Sequence, residues 1–187
     1  MKTCLLLPLA AALLTASSCK KDAPDAGLPP ATQVGANTAG CLINGQTFVP
    51  KAYGGSPLSS PIPALEGGFY FDSLYYLSLN GQLNGQGISV TLFLRRPKSG
   101  VFLLNRNTQF YPQGVSLYVL NHATYRISGA AGGETYVTNA RHTGRVEFTK
   151  ADKPSGLSAG TFSFSAVSNK DSTKTITIEN GRFDRKQ

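Results

Sequence analysis

The chain of 187 residues is poor in cysteine, in charge and in helical periodicity, and each shortage excludes a class of protein. Three cysteines, Cys4, Cys19 and Cys41, are too few for the disulfide framework of a small secreted domain. Charged residues make up 15% of the chain, so Ser, Thr, Asn, Gln and Gly must supply much of the surface polarity. No apolar pattern with a period of 3.6 residues persists for three turns beyond the N-terminal stretch, which predicts no substantial helix there.

Dense clusters of positive charge are also missing, although the formal net charge is +8. No run of Lys and Arg exceeds two residues, as at Lys20-Lys21 and Arg95-Arg96. A nucleic-acid-binding protein more often carries a dense basic stripe interleaved with aromatic residues. We therefore expect no nucleic-acid partner, and interpret the charge as an aid to solubility near a membrane surface, with weak attraction to acidic polymers.

The N-terminus has the layout of a secretory signal peptide. Lys2 gives a positive start, Leu5 to Leu14 is apolar apart from Pro8, and small residues lead to Cys19. The stretch is too short and too polar after Leu14 to span a bilayer. A cysteine directly after small residues resembles a bacterial lipoprotein signal, which implies that Cys19 is lipidated and anchors the mature protein to the membrane. The alternative is ordinary cleavage nearby, which would leave Cys19 free to pair with Cys41; otherwise Cys41 stands alone.

This reading divides the chain into a signal peptide over residues 1–18, a lipidated cysteine with a tether over 19–39, and one domain over 40–187. Residues 20–39 are rich in Ala, Gly, Pro and Thr and contain only two large aliphatic side chains. Such a segment buries too little apolar area to offset the entropy of ordering it. It is predicted to be a flexible spacer that holds the domain away from the bilayer.

Alternation with a period of two residues dominates the domain. In one segment Ile88, Val90, Leu92 and Leu94 alternate with Ser89, Thr91, Phe93 and Arg95, which is typical of an antiparallel strand with one buried face. Asn44-Gly45 between apolar runs predicts a hairpin, whereas the prolines between Tyr53 and Gly68 predict a long irregular loop. Frequent turn signals predict about 8–10 strands. The fold class is all-β, as a single antiparallel β-sandwich or a closed β-barrel.

Segments near the C-terminus carry a family likeness. The runs Gly144 to Asp152, Gly160 to Val167 and Lys174 to Asp184, together with the start Cys19-Lys20-Lys21-Asp22, resemble uncharacterised lipoproteins of Bacteroidota. The resemblance implies an envelope lipoprotein of a Gram-negative cell, from a family without an established activity. Lys21-Asp22 also resembles the short signal that exports such lipoproteins to the cell surface. We therefore expect attachment to the outer membrane, with surface exposure favoured over the periplasm.

Motifs that suggest catalysis have simpler explanations. Gly156 to Gly160 matches the G-x-S-x-G pattern of serine hydrolases, but no histidine follows Ser158 and the segment enters a predicted strand rather than a helix. The two histidines, His122 and His142, have no partner at the spacing of a zinc site. Glu147 and Glu179 fall on the solvent faces of strands, where structural pairing is the better interpretation. The sequence predicts no catalytic residue, metal or cofactor.

Aromatic side chains give the only candidate binding site. Tyr76 and Phe93 fall on the strand faces opposite the aliphatic core, where rings can stack on sugars or contact a partner protein. Arg95 follows on the same face as Phe93 and could hold an acidic group. Alternatively, the loop from Tyr53 to Gly68 or a second sheet covers these rings. The sequence thus predicts a non-catalytic binding or structural module, with a glycan or an envelope protein as the possible partner.

Overall fold

The computed structural model describes residues 27–70, 73–108, 120–129 and 133–187, and these residues form an all-β structure without helices. Eleven strands occur in the described residues, one more than the upper end of the predicted range. They are β1 (Thr38–Ile43), β2 (Gln46–Phe48), β3 (Leu65–Tyr70), β4 (Leu74–Leu83), β5 (Gln86–Arg95), β6 (Gly100–Leu104), β7 (His122–Ile127), β8 (Glu134–Val137), β9 (Gly144–Asp152), β10 (Leu157–Ser168) and β11 (Thr175–Lys186).

All the strand pairs are antiparallel and belong to one folded sheet. Its main path runs β2-β1-β11-β10-β8-β7-β5-β4-β3, and β6 and β9 branch from β10. The branch arises because residues 157–164 of β10 pair with β9, whereas Val167 and Ser168 pair with β8. The sheet is not closed into a barrel, which excludes that alternative, and it is consistent with a β-sandwich. We call β3, β4, β5, β7 and β8 the front layer, and the remaining strands the back layer.

The core lies between these two layers. Tyr75 on β4 contacts Phe148 on β9 at 4.9 Å between ring centroids and Phe183 on β11 at 6.2 Å. The aliphatic set predicted on β5, from Ile88 to Leu94, is almost completely buried in the same cluster. The buried Cys41 thiol is also part of this cluster and forms no disulfide. The predicted alternation therefore identified the inward faces correctly.

Two-residue turns set the register of the hairpins. Asn44-Gly45 joins β1 to β2, and Asn84-Gly85 joins β4 to β5, with positive φ at all four residues. Asn and Gly tolerate this backbone conformation, which the tight turn of a twisted hairpin requires. The second turn places Tyr76 directly opposite Phe93.

The segment between Tyr53 and Gly68 is more regular than its prolines suggest. Tyr53 pairs with Ile62 through backbone hydrogen bonds, and the chain then enters β3, which runs along the edge of β4. Gly67, with φ of +101°, lets the two backbones approach closely, since a Cβ atom there would lie 2.2 Å from the Tyr76 carbonyl oxygen. The prediction of an irregular loop up to Gly68 was therefore wrong for its last four residues.

The structure also differs from the prediction in part of the spacer, which is held against the domain. Residues 27–37 lie against the domain, and the Asp184 carboxylate accepts hydrogen bonds from Thr32, Val34, Gly35 and Ala36. Composition alone misses these contacts because three backbone N–H groups and one hydroxyl group, not apolar side chains, make them. The prediction of a free spacer up to residue 39 is wrong for residues 27–37, which are held against the domain. Cys19 and the predicted signal peptide lie outside the described residues.

The described part of the chain contains no helix with the length and hydrophobicity needed to cross a membrane.

Candidate functional site

The outer face of the front layer carries three rows of side chains that run across its strands. Strand register places Tyr76, Phe93 and His122 in the first row, on β4, β5 and β7. The second row has Ser78, Thr91 and Thr124, and the third has Asn80, Ser89 and Arg126. We call this surface, defined by these nine residues, the aromatic face. Each row follows from the period of two, because the alternate residues of every strand point into the core.

The first row is a ladder of rings. Phe93 stacks on the His122 imidazole, with a centroid distance of 4.5 Å and an interplanar angle of 7°. Tyr76 lies on the other side of Phe93 at 5.3 Å, tilted by 52°. Tyr70 on β3 extends the ladder, 6.4 Å from Tyr76. Four adjacent strands place these rings across about 15 Å of the sheet. The sequence prediction that Tyr76 and Phe93 share one face is confirmed, and each ring remains partly exposed.

The second and third rows form a hydrogen-bonded floor. Ser78 Oγ lies 3.1 Å from Thr91 Oγ1 and donates to Asn80 Oδ1 at 2.8 Å. Ser89 Oγ donates to the same Asn80 oxygen at 2.8 Å, and Asn80 Nδ2 donates to the Pro63 carbonyl at 3.0 Å. Asn80 therefore fixes the orientation of two hydroxyl groups.

A cleft of about 330 Å³ lies over this floor. Tyr76 and Phe93 line it on the aromatic side, and Glu66 and Arg126 bring one negative and one positive side chain. Ile62, from the segment that was predicted to cover the rings, contributes to the wall. The alternative in which that segment covers this face holds in part, since Ile62 and Glu66 lie over it while both rings keep part of their surface in solvent.

Burial and charge affect two ionisable groups of the aromatic face. The pKa of the Tyr76 hydroxyl is raised above its ordinary value, mainly by burial and further by the nearby Glu66 carboxylate. Burial lowers the pKa of His122, whose Nδ1 lies 2.8 Å from the Leu120 carbonyl oxygen. A neutral His122 donates its Nδ1–H to that carbonyl. The face consequently presents neutral rings at neutral pH.

Arg95 lies two residues beyond Phe93 on β5 but does not line this cleft. Its side chain is exposed and lines a second, larger cleft of about 740 Å³. That cleft also contains Arg96, Arg106, Asn105 and Asn121. The structure thus brings Tyr76 and Phe93 together and places Arg95 in the neighbouring cleft.

The motifs that suggest catalysis have structural roles. Ser158, the serine of the G-x-S-x-G match, is completely buried on β10, where its Oγ lies 2.8 Å from Tyr75 Oη. Glu147 pairs with Arg145 on the exposed face of β9, as predicted. His142 lies in a turn, where its backbone N–H donates to Asn139 Oδ1 at 2.7 Å.

Sequence reasoning considered His122 only as a metal ligand and did not place it on the aromatic face. It is the first residue of β7 and only 2% exposed. Its place beside Phe93 depends on the pairing of β5 with β7, strands separated by 26 residues that include β6. The alternation of His122, Thr124 and Arg126 was the one signal in the sequence that could have placed it on the outer face.

Within the described ranges, no three His, Cys, Asp or Glu side chains are close enough together to hold a metal ion. Comparison with protein-family models, with characterised proteins and with solved structures found no match to this chain.

Proposed function

We propose that this protein is a non-catalytic glycan-binding module, carried on the cell envelope by an acyl chain on Cys19. The observation that supports it most is the cleft of the aromatic face, where two partly exposed rings border a floor of largely buried, neutral hydroxyl and amide groups. Sugars offer apolar C–H faces to aromatic rings and hydroxyl groups to polar side chains. The composition of the cleft suits such a ligand.

The cleft contains one carboxylate among its described residues, and this favours binding over hydrolysis. Glycoside hydrolysis commonly uses two carboxyl groups that face the scissile bond. Glu66 is the one carboxylate among the described residues that line the cleft. A single acid in the cleft is suited to hydrogen bonding and not to paired acid and base chemistry.

Binding is tested with a glycan array that holds neutral and acidic oligosaccharides. We expect Phe93→Ala to weaken binding at least about tenfold, equivalent to about 1.4 kcal/mol, because it removes the central ring of the ladder. Phe93→Tyr retains the ring and should bind within about threefold of the wild type. Equal binding by the wild type and Phe93→Ala, with both proteins folded, would contradict the proposal.

The anchor is tested separately. Cys19→Ala should move the protein from the membrane fraction to the soluble fraction, and mass spectrometry of the wild type should find acyl chains on residue 19. Protease treatment of intact cells, with lysed cells as the control, then decides the orientation. Loss of the domain from intact cells is the result we expect for surface exposure.

A further inference from the structure

The larger cleft beside the aromatic face concentrates positive charge. Arg95, Arg96 and Arg106 line it together with the amides Asn105 and Asn121. No carboxylate of the described residues lines the cleft or forms an ion pair with these arginines. Three guanidinium groups around one concave surface repel each other and focus a positive potential that attracts anions.

The backbone at Arg96 adds a second, independent observation. Five non-glycine residues of the described chain have positive φ; four are asparagines, and the fifth is Arg96, with φ of +48°. Asn tolerates this left-handed conformation better than arginine does, and a strained residue often marks a functional site. The backbone is fixed there, since Arg96 N donates to the Ser73 carbonyl at 2.7 Å. A long cationic side chain therefore occupies a position where the same fold elsewhere uses Asn.

The two clefts are neighbours at the end of β5, where Phe93 lines one and Arg95 lines the other. Arg95 is on the same face of β5 as Phe93, about 7 Å further along the strand. Asn121 precedes His122, and its Oδ1 accepts a hydrogen bond from Arg95 N at 2.8 Å. A polymer that contacts the rings of the aromatic face can therefore reach the arginines without leaving the surface.

We propose that this larger cleft, lined by Arg95, Arg96 and Arg106 and called the arginine cleft below, binds the acidic groups of an anionic polysaccharide. The glycan of the aromatic face is then a polyanion. This inference rests on the proposed glycan-binding function and names its ligand class. Guanidinium groups bind carboxylate, sulfate and phosphate oxygens in bidentate geometry. The volume of about 740 Å³ exceeds what one small anion fills and suits a sugar unit with its acidic group. Val101 and Leu103, 53% and 57% exposed, provide apolar contacts for the sugar ring.

The test compares acidic and neutral polymers on the full chain carrying Cys19→Ser, which cannot be acylated. Binding to polygalacturonate, dextran sulfate and neutral dextran is measured at about 0.15 M salt, where the screening length is about 8 Å. The test variant is Arg95→Gln with Arg96→Asn, because Asn fits the left-handed backbone and only the guanidinium groups are lost. The control variant is Lys150→Gln with Lys186→Gln, which removes the same charge from the back layer.

We expect the arginine variant to bind the acidic polymers at least about tenfold more weakly than the wild type, and the lysine variant to bind within about threefold. Equal losses in both variants would mean that diffuse charge, not the cleft, attracts the polymer, and would overturn the inference. Binding to neutral dextran that depends on Phe93 and not on the arginines would overturn it too, while leaving the proposed function intact. Binding that depends on neither Phe93 nor the arginines would overturn both.

Lipid headgroups are the other source of anionic groups, and binding to membranes tests for them separately. Vesicles of phosphatidylcholine with phosphatidylglycerol replace the polymers, and the same variants are compared. Arginine-dependent binding to vesicles without binding to either acidic polymer would overturn the inference and assign the cleft to lipid headgroups. Weaker binding of the arginine variant to an acidic polymer, with unchanged binding of that variant to vesicles, supports the inference.

Discussion

The hydroxyl groups of Tyr75 and Ser158 connect the two layers through the core. Ser158 Oγ is 3.5 Å from the Arg185 carbonyl, to which it donates, and the Tyr75 hydroxyl then donates to Ser158 Oγ at 2.8 Å. Burial is the main reason why the pKa of Tyr75 is raised, and its hydroxyl remains protonated. A serine that resembles a nucleophile in the sequence is therefore the polar centre of an apolar core.

Removing this serine should destabilise the fold. Ser158→Ala leaves the Tyr75 hydroxyl buried without an acceptor, and we expect a loss of about 1–3 kcal/mol in the free energy of unfolding. Tyr75→Phe should cost less, because Ser158 retains the Arg185 carbonyl. Urea denaturation of both single variants and the double variant measures the coupling. Additive losses would contradict the hydrogen bond between the two residues.

His122 makes stability depend on pH. Its pKa is lowered from the ordinary value of 6.5 by burial, so the unfolded chain takes up a proton more readily than the folded protein does. The free energy of unfolding should therefore fall as the pH drops through 6.5 toward the folded pKa. Each unit of difference between the two pKa values corresponds to about 1.4 kcal/mol.

Denaturation at pH 7 and pH 5 should show this loss in the wild type and a smaller one in His122→Gln. His142→Gln, in a turn away from the aromatic face, is the matched control and should keep the wild-type dependence. An unchanged pH dependence in His122→Gln would contradict this account.

At the scale of elements, residues 27–37 form a clasp on β11. Asp184, only 1% exposed, accepts three backbone N–H groups and the Thr32 hydroxyl at distances from 2.6 to 3.2 Å. Burial raises the pKa of Asp184, but these four hydrogen bonds outweigh it and hold the pKa below its ordinary value. The clasp is therefore complete at neutral pH, and its stabilisation is lost as the pH falls below about 4 through the lowered pKa.

Asp184→Ala should release the clasp. We expect a loss of about 2–4 kcal/mol, because charge-assisted hydrogen bonds disappear and buried N–H groups lose their acceptor. Hydrogen exchange of the amides of residues 34–36 should accelerate at neutral pH, while exchange in the β4–β5 hairpin changes little. Glu179→Ala, at an exposed position of the same strand, is the control. Unchanged exchange at residues 34–36 in Asp184→Ala would show that other contacts hold the segment.

The elements differ in how far the sequence predicted them. β5 was predicted from its own alternation, since all its inward residues are aliphatic and two-residue turn geometry fixes its pairing with β4. β3 was missed because Gly67 and Gly68 stand where a strand usually has side chains, and their backbone approach to β4 is a long-range contact. The clasp was missed for a similar reason, because its acceptor lies about 150 residues away along the chain.

At the scale of the molecule, the order of the strands brings residues from separate parts of the chain into each cleft. The Tyr76–Phe93 pair could be predicted, since a turn at Asn84-Gly85 makes these residues opposite neighbours. The contributions of His122, Glu66 and Arg106 could not, because they depend on pairings between distant strands or on where a loop lies. The alternation predicts a face for each strand, whereas the order of the strands decides which faces become one surface.

The central claim is that glycan binds on the aromatic face. The chain has no tryptophan, so Phe93→Trp gives a single fluorescent reporter within the ring ladder. Val49→Trp, at a position 47% exposed that does not line the cleft, is the control. The most direct measurement is fluorescence during titration with the glycan that the wild type binds. A saturable change at residue 93 without one at residue 49 is the result that the account predicts. Binding with no change at residue 93 would contradict it.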